Sequence, residues 1–148
     1  MFRSGFATLV GRPNVGKSTL LNQILGTKVS IVSDKPQTTR TQVRGVLTRP
    51  EGTGRDGRPS DGAQVVFVDT PGIHKPRTLL GERLNDTALE AASAVDVTVL
   101  VVDATAPVGR GDKFVADSMP DSTIVVVNKT DLVDANTVLT QLAAAAEE

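Results

Sequence analysis

The stretch Gly11-Arg12-Pro13-Asn14-Val15-Gly16-Lys17-Ser18 carries the spacing G-x-x-x-x-G-K-[ST] at every fixed position. The chemistry this spacing serves is polyphosphate binding. Glycine at Gly11 and Gly16 allows backbone conformations that a side chain would block, so successive N–H groups can turn inward around an anion. Lys17 brings positive charge to the outer phosphates, and the Ser18 hydroxyl is a donor for Mg²⁺. Arg12, Pro13, Asn14 and Val15 complete the loop, and Thr19 follows it at the start of a helix.

Two further constellations refine that chemistry. Asp69-Thr70-Pro71-Gly72 reads D-x-x-G at the end of an apolar run. There Asp69 is suited to hold Mg²⁺ through water, and the Gly72 N–H to sense a γ-phosphate; Thr70, Pro71 and Ile73 lie on the same nucleotide contact. Asn128-Lys129-Thr130-Asp131 reads N-K-x-D. The Asp131 carboxylate can accept from N1–H and the 2-amino group of guanine, and adenine offers neither. A carboxylate left unpaired in such a site is costly, which makes the choice of base steep. Asn128 is expected to tie this loop to the phosphate loop, and the Lys129 stem to lie over the base. The polar loop Ser33–Thr41 contains Thr38-Thr39, placed where nucleotide switches keep a threonine that reaches the γ-phosphate and Mg²⁺.

Elements must deliver these residues to one place. Phe6–Val10 reads as a buried strand before the phosphate loop, and Thr19–Leu25 as a helix stopped by Gly26, so the helix N-terminus faces the phosphates. Val43–Thr48 and Gln64–Val68 read as strands. The intervening segment from Pro50 to Gly62 is dense in Gly, Pro and charge and reads as a flexible hairpin insertion. Leu80–Ala94 has helical periodicity. Asp96–Asp103 and Ser122–Val127 are almost continuously apolar, as parallel strands covered on both faces should be. A short helix is expected through Val115–Asp117. Asp134 is placed as an N-cap, and Val138, Leu139 and Leu142 make the apolar face of the helix that follows.

The bulk numbers narrow the class. A chain of 148 residues suits one domain. With 39% hydrophobic, 22% charged and only 3% aromatic residues, the core must be aliphatic. A net charge of −1 argues against a strongly basic nucleic-acid face. The lack of cysteine excludes disulfides and thiolate metal sites. No apolar run is long enough to span a bilayer and no signal-peptide core precedes the first strand, so the cytoplasm is the expected compartment.

With its motifs in this order, the chain resembles a translation-factor-type GTPase domain, and two stretches make it similar to the bacterial Era family. Pro36-Gln37-Thr38-Thr39-Arg40 resembles that family's switch I, with Thr39 at the effector threonine. Gly72-Ile73-His74-Lys75-Pro76, followed by Leu80-Gly81-Glu82-Arg83-Leu84-Asn85, resembles its switch II and the next helix. The likeness runs along nearly the whole chain outside the Pro50–Gly62 tip. The Der and MnmE families share G-R-P-N-x-G-K-S but differ in their switches, and a Der- or MnmE-like GTPase is the alternative.

The resemblance implies a three-layer P-loop NTPase fold, with a mostly parallel sheet and one antiparallel edge strand. The fold's last strand and helix, the fifth nucleotide motif, and the KH domain through which the family binds 16S ribosomal RNA would lie beyond Glu148. It implies GTP hydrolysis with Mg²⁺ held by Ser18, Thr39 and Asp69, and with Lys17, Thr39, Gly72 and Asn14 acting on the phosphates. Asn14 would help hold K⁺ in place of an arginine finger. For the whole protein it implies a role in small ribosomal subunit (30S) assembly and a peripheral association with the inner membrane. Where Ras-type sites keep a water-orienting Gln, this chain has Ile73, which can neither donate nor accept. His74 beside it is the only histidine. It reads either as a base or as a residue capping its loop. A nucleotide-dependent binding module with negligible turnover is the second reading.

Overall fold

The computed structural model describes residues 1–26, 43–53, 59–68, 90 and 92–146. The strands are β1 (Arg3–Val10), β2 (Val43–Arg49), β3 (Gly52–Thr53), β4 (Pro59–Ser60), β5 (Ala63–Val68), β6 (Val97–Asp103) and β7 (Ile124–Asn128). The helices are α1 (Lys17–Leu25), α2 (Arg110–Ala116) and α3 (Ala135–Ala146), with a 3-10 turn over Thr130–Leu132. The five long strands form one sheet in the order β2-β5-β1-β6-β7. β1 runs parallel to β5 and to β6, and β7 parallel to β6. β2 lies antiparallel to β5 at the edge, with a register shift between Val43 and Gly45. The short strands β3 and β4 pair antiparallel, Gly52 with Ser60 and Thr53 with Pro59.

Both faces of the sheet are covered, which is why its central strands are apolar without alternation. On one face Ala7, Leu9, Phe67 and Val101 pack with Val15 of the phosphate loop and with Leu20, Leu21 and Leu25 of α1. On the other, Val10, Leu100 and Val102 pack with Ala92 and with Val115 and Ala116 of α2. Successive residues Leu9 and Val10, or Val101 and Val102, thus serve opposite layers, as the pleat requires. The arrangement is the three-layer, mostly parallel fold with one antiparallel edge strand that the sequence implies. Of the expected Leu80–Ala94 helix, Glu90, Ala92 and Ser93 are helical, Ala94 is a turn residue whose N–H donates to the Glu90 carbonyl at 3.1 Å, and the other positions lie outside the described residues.

Several boundaries move, each for a local reason. β1 begins at Arg3 because β5 offers partners from Ala63 onward. Asp96 is not in β6: its Oδ2 accepts the Phe6 N–H at 2.7 Å, while its own N–H donates to the Phe6 carbonyl at 3.0 Å. The short helix starts at Arg110, earlier than expected, because Asp112 and Gly109 form a capping interaction, with Gly109 N–H donating to Asp112 Oδ2 at 3.1 Å. Asp134 does cap α3, accepting the Thr137 N–H at 2.7 Å. Of the expected apolar face of α3, Val138 is half-buried but Leu139 is 64% exposed and Leu142 45%, whereas Gln141 is buried. The Gln141 Oε1 accepts the Val108 N–H at 3.1 Å, and this bond fixes which side of the helix faces the protein.

Candidate nucleotide-binding site

Because β1, β5, β6 and β7 are parallel, their carboxyl ends share one edge, the edge at which open α/β sheets bind ligands. The phosphate loop leaves β1 there, β6 ends at Asp103, and β7 ends at Asn128 directly beside it in register. The Ala104 N–H donates to the Asn128 carbonyl at 2.9 Å and ties the two ends.

The phosphate loop is shaped by residues only glycine can supply. Gly11 has φ 149°, and a Cβ there would sit 2.5 Å from the Val101 carbonyl oxygen. Gly16 has φ 97°, and a Cβ there would meet the Asn128 Nδ2 at 2.3 Å. Between them Asn14 takes the left-handed region at φ 65°, and Val15 is buried, anchoring the loop in the core. The Lys17 ammonium donates to the carbonyls of Gly11 at 2.8 Å and Arg12 at 2.7 Å. Ser18 and Thr19 are exposed on the first turn of α1. Arg12 is held sideways: its Nε donates to Asp112 Oδ1 at 2.8 Å, with the Asp112 side chain only 4% exposed. Pro13 and Asn14 face solvent.

The N-K-T-D loop is fastened onto the phosphate loop. Asn128 Nδ2 donates to the Val15 carbonyl at 2.9 Å, as the sequence suggests. Lys129, at φ 61°, donates from Nζ to the Asn14 carbonyl at 2.8 Å and to Asp103 Oδ2 at 2.6 Å. Thr130 and Asp131 stand exposed on the 3-10 turn. Asp103 is where the electrostatics concentrate. Burial works against its charge, but the Lys129 ammonium and the Thr105 hydroxyl and N–H outweigh it and hold the carboxyl at about 2.

Thr39, Asp69, Thr70, Pro71, Gly72, Ile73 and His74 lie outside the described residues. Of the proposed Mg²⁺ donors, Ser18 is therefore the one the structure places, and an exposed hydroxyl at this helix start suits a hard cation. Among the described residues no group of three or more His, Cys, Asp or Glu side chains gathers to hold a metal. The loop fits a polyphosphate: a Cβ at either glycine would strike the Val101 carbonyl or the Asn128 amide and break the loop's path, and a lysine ammonium already lies across it on two carbonyls. Sequence reasoning missed Asp103 and Asp112. An aspartate closing the otherwise apolar run of β6 at the ligand edge was a usable signal; nothing in the sequence around Asp112 marked it.

Comparison with known proteins places these motifs in context. The family model described as 50S ribosome-binding GTPase matches residues 6–129. GTPase Era of Nocardioides sp. is 49% identical over 134 residues, which make up 88% of this chain and 39% of that protein. A crystal structure of Era in complex with MgGDPNP and nucleotides 1506–1542 of 16S ribosomal RNA aligns with TM-score 0.74 at 35% identity, covering 99% of this chain and 48% of that one. An Aquifex aeolicus Era variant bound to GDP·AlF4⁻ aligns with TM-score 0.69 at 36% identity, covering 97% of this chain and 47% of that one. The chain thus spans less than half the length of each of these three Era proteins.

Proposed function

The chain belongs to the 50S ribosome-binding GTPase family, as a bacterial Era GTPase domain, and from that premise we propose that it binds GTP with Mg²⁺, hydrolyses it slowly, and acts as the nucleotide switch of a protein that binds 16S ribosomal RNA during small-subunit (30S) assembly. The observation that carries the nucleotide reading is the lock between the two loops. Asn128 and Lys129 bond to Val15 and Asn14 at 2.9 Å and 2.8 Å, so the base-reading sequence and the phosphate cradle form one rigid unit.

The chain's own groups divide the task. Entering phosphates compete with the Gly11 and Arg12 carbonyls for the Lys17 ammonium, and the exchange trades neutral acceptors for anionic ones, which make stronger hydrogen bonds. The N–H groups of the loop and the start of α1 face the same anions. The Asp131 carboxylate pairs with guanine N1–H and the 2-amino group, and Lys129 lies along the base. Mg²⁺, when bound, neutralises charge developing on the transferred phosphoryl group; Ser18, Thr39 and Asp69 would hold it. Gly72 would donate its N–H near the γ-phosphate. Asn14, exposed on the loop, offers a side-chain oxygen suited to a K⁺ site. Ile73 would shield the reaction without orienting water, and His74 beside it is the group left to position water should K⁺ have no effect.

The RNA role is supported by the Era complex with MgGDPNP and 16S ribosomal RNA. We place the protein in the cytoplasm, with a peripheral contact at the inner membrane as a further proposal; no described helix is long and apolar enough to cross a membrane. The deciding experiment is titration with GTP and ATP, followed by phosphate release at matched ionic strength in KCl and NaCl. Tight GTP binding, no ATP binding, and turnover on the order of 10⁻⁴ to 10⁻² s⁻¹ that rises in KCl are expected. Binding of ATP as tight as GTP overturns the base reading. Equal rates in the two salts remove K⁺, and binding without any turnover leaves a binding module.

A further inference from the structure

Asp103 has no part in the phosphate or base contacts above, yet it is paired with Lys129, the residue laid along the base. Lys129 Nζ lies 2.6 Å from Asp103 Oδ2, and the two side chains are 30% and 14% exposed. The other carboxylate oxygen of Asp103 accepts the Thr105 N–H at 2.8 Å and the Thr105 hydroxyl. Asp103 is thus rigid twice over: it ends a strand paired on both sides, and its Oδ1 is tied to the turn that follows.

A lysine stem has many rotamers and a strongly hydrated head, so an ammonium left to itself does not hold one pose. In this chain the fixed carboxylate selects one, and in that pose a second N–H of the same ammonium reaches the Asn14 carbonyl of the phosphate loop. We infer that Asp103 is a positioning residue for the nucleotide: it holds Lys129 against Asn14, keeps the lysine stem laid along the base site, and thereby slows nucleotide release without taking part in the choice of base. This rests on the guanine-nucleotide reading proposed above. Loss of an ion pair of purely structural value would lower the stability of the fold and leave the release rate of the folded molecules unchanged.

The test is release of a fluorescent GDP from the full chain, chased with unlabelled GDP, for wild type, Asp103→Asn, Lys129→Met and the double variant. Release is a property of folded, loaded molecules, so a lower folded fraction does not enter the rate. Asp103→Asn should release about tenfold faster, the equivalent of one well-placed hydrogen bond. The double variant should match Lys129→Met alone, because Asp103 acts only through that lysine. The ratio of GDP to IDP affinity, which reports the 2-amino contact, should be unchanged by Asp103→Asn. Should Asp103→Asn not fold, Thr105→Val decides: it removes the hydroxyl donor to Asp103 Oδ1 while keeping the charge and the backbone N–H bond to that oxygen, and should release about threefold faster. A wild type that fails to retain GDP overturns the nucleotide reading itself. A wild type that retains GDP overturns this inference alone if either single variant at Asp103 or Thr105 releases at the wild-type rate, if the Asp103 and Lys129 effects multiply, or if Asp103→Asn shifts the GDP to IDP ratio.

Discussion

Replacing Asp131 with asparagine exchanges an acceptor for a donor where the guanine 2-amino group is proposed to sit. Xanthine carries a carbonyl at that point, so Asp131→Asn should weaken GTP on the order of a hundredfold and strengthen xanthosine triphosphate in a competition assay; an unchanged preference removes Asp131 from the base site. Asp103 makes a second prediction, through pH. Its carboxyl lies at about 2 in the fold against 3.8 normally. A depressed carboxylate stabilises the protein above its unfolded value and loses that contribution as pH falls through the folded one. Wild type should therefore exceed Asp103→Asn in unfolding free energy by about 2 kcal/mol at neutral pH, with the gap closing between pH 4 and pH 2. Urea titrations at several pH values check this, and a gap independent of pH contradicts it. At this scale the phosphate loop and N-K-T-D were legible because their residue types recur at fixed spacing, and the structure fastens the two loops together; Thr39, Asp69 and Gly72 lie outside the described residues. Asp103 was not read, since its role is set by Lys129, a partner 26 positions away.

Helix α2 is tied to the phosphate loop by a single guanidinium. Arg12 bonds the buried Asp112, whose second oxygen caps the Gly109 N–H, and a Cβ on Gly111 would strike the Arg12 stem at 2.7 Å. Arg12→Ala leaves a carboxylate buried without its cation. Because the Arg12 side chain is 36% exposed, water will replace part of the loss, and destabilisation of about 1–2 kcal/mol is expected. A urea midpoint equal to wild type would show that the pair contributes nothing to holding α2. The five long strands and α1 were legible from largely apolar runs and a glycine stop, whereas the short pair β3–β4 falls inside the Pro50–Gly62 segment that reads as a flexible hairpin insertion. The inward face of α3 was not: periodicity points to Leu139 and Leu142, but one side-chain bond from Gln141 to a backbone N–H rotates the helix.

Across the whole molecule the sheet is asymmetric. β2 covers one side, while β7 hydrogen-bonds to β6 alone among the described residues, with Ile124 53% and Val125 38% exposed. Leu132, Leu139 and Leu142 add apolar surface in the segment that follows. An apolar outer strand is a template for pairing with another chain. The chain should therefore associate with rising concentration, and Val125→Lys should suppress this. Sedimentation showing a monodisperse monomer at high concentration contradicts the prediction. The fold class was legible because strand, loop and helix follow one another in an α/β rhythm. The lean of α3 and the exposure of β7 depend on what packs where, which no local pattern encodes.

The central position of β1 bears on how the protein is born. β1 is synthesised before the other strands described, yet its neighbours begin at Ala63 and Val97. The loop it leads into is closed by Asn128, which bonds Val15 across 113 residues. Contacts so far apart in sequence form late and make for slow folding. The nucleotide can thus be no scaffold for the emerging chain; it becomes a ligand only once almost everything described here has left the ribosome. Chains stalled with Asn128 still unemerged should fail to retain labelled GDP, and chains with Asp131 well clear of the tunnel should hold it. Retention by the shorter chains would mean that the cradle forms without its lock.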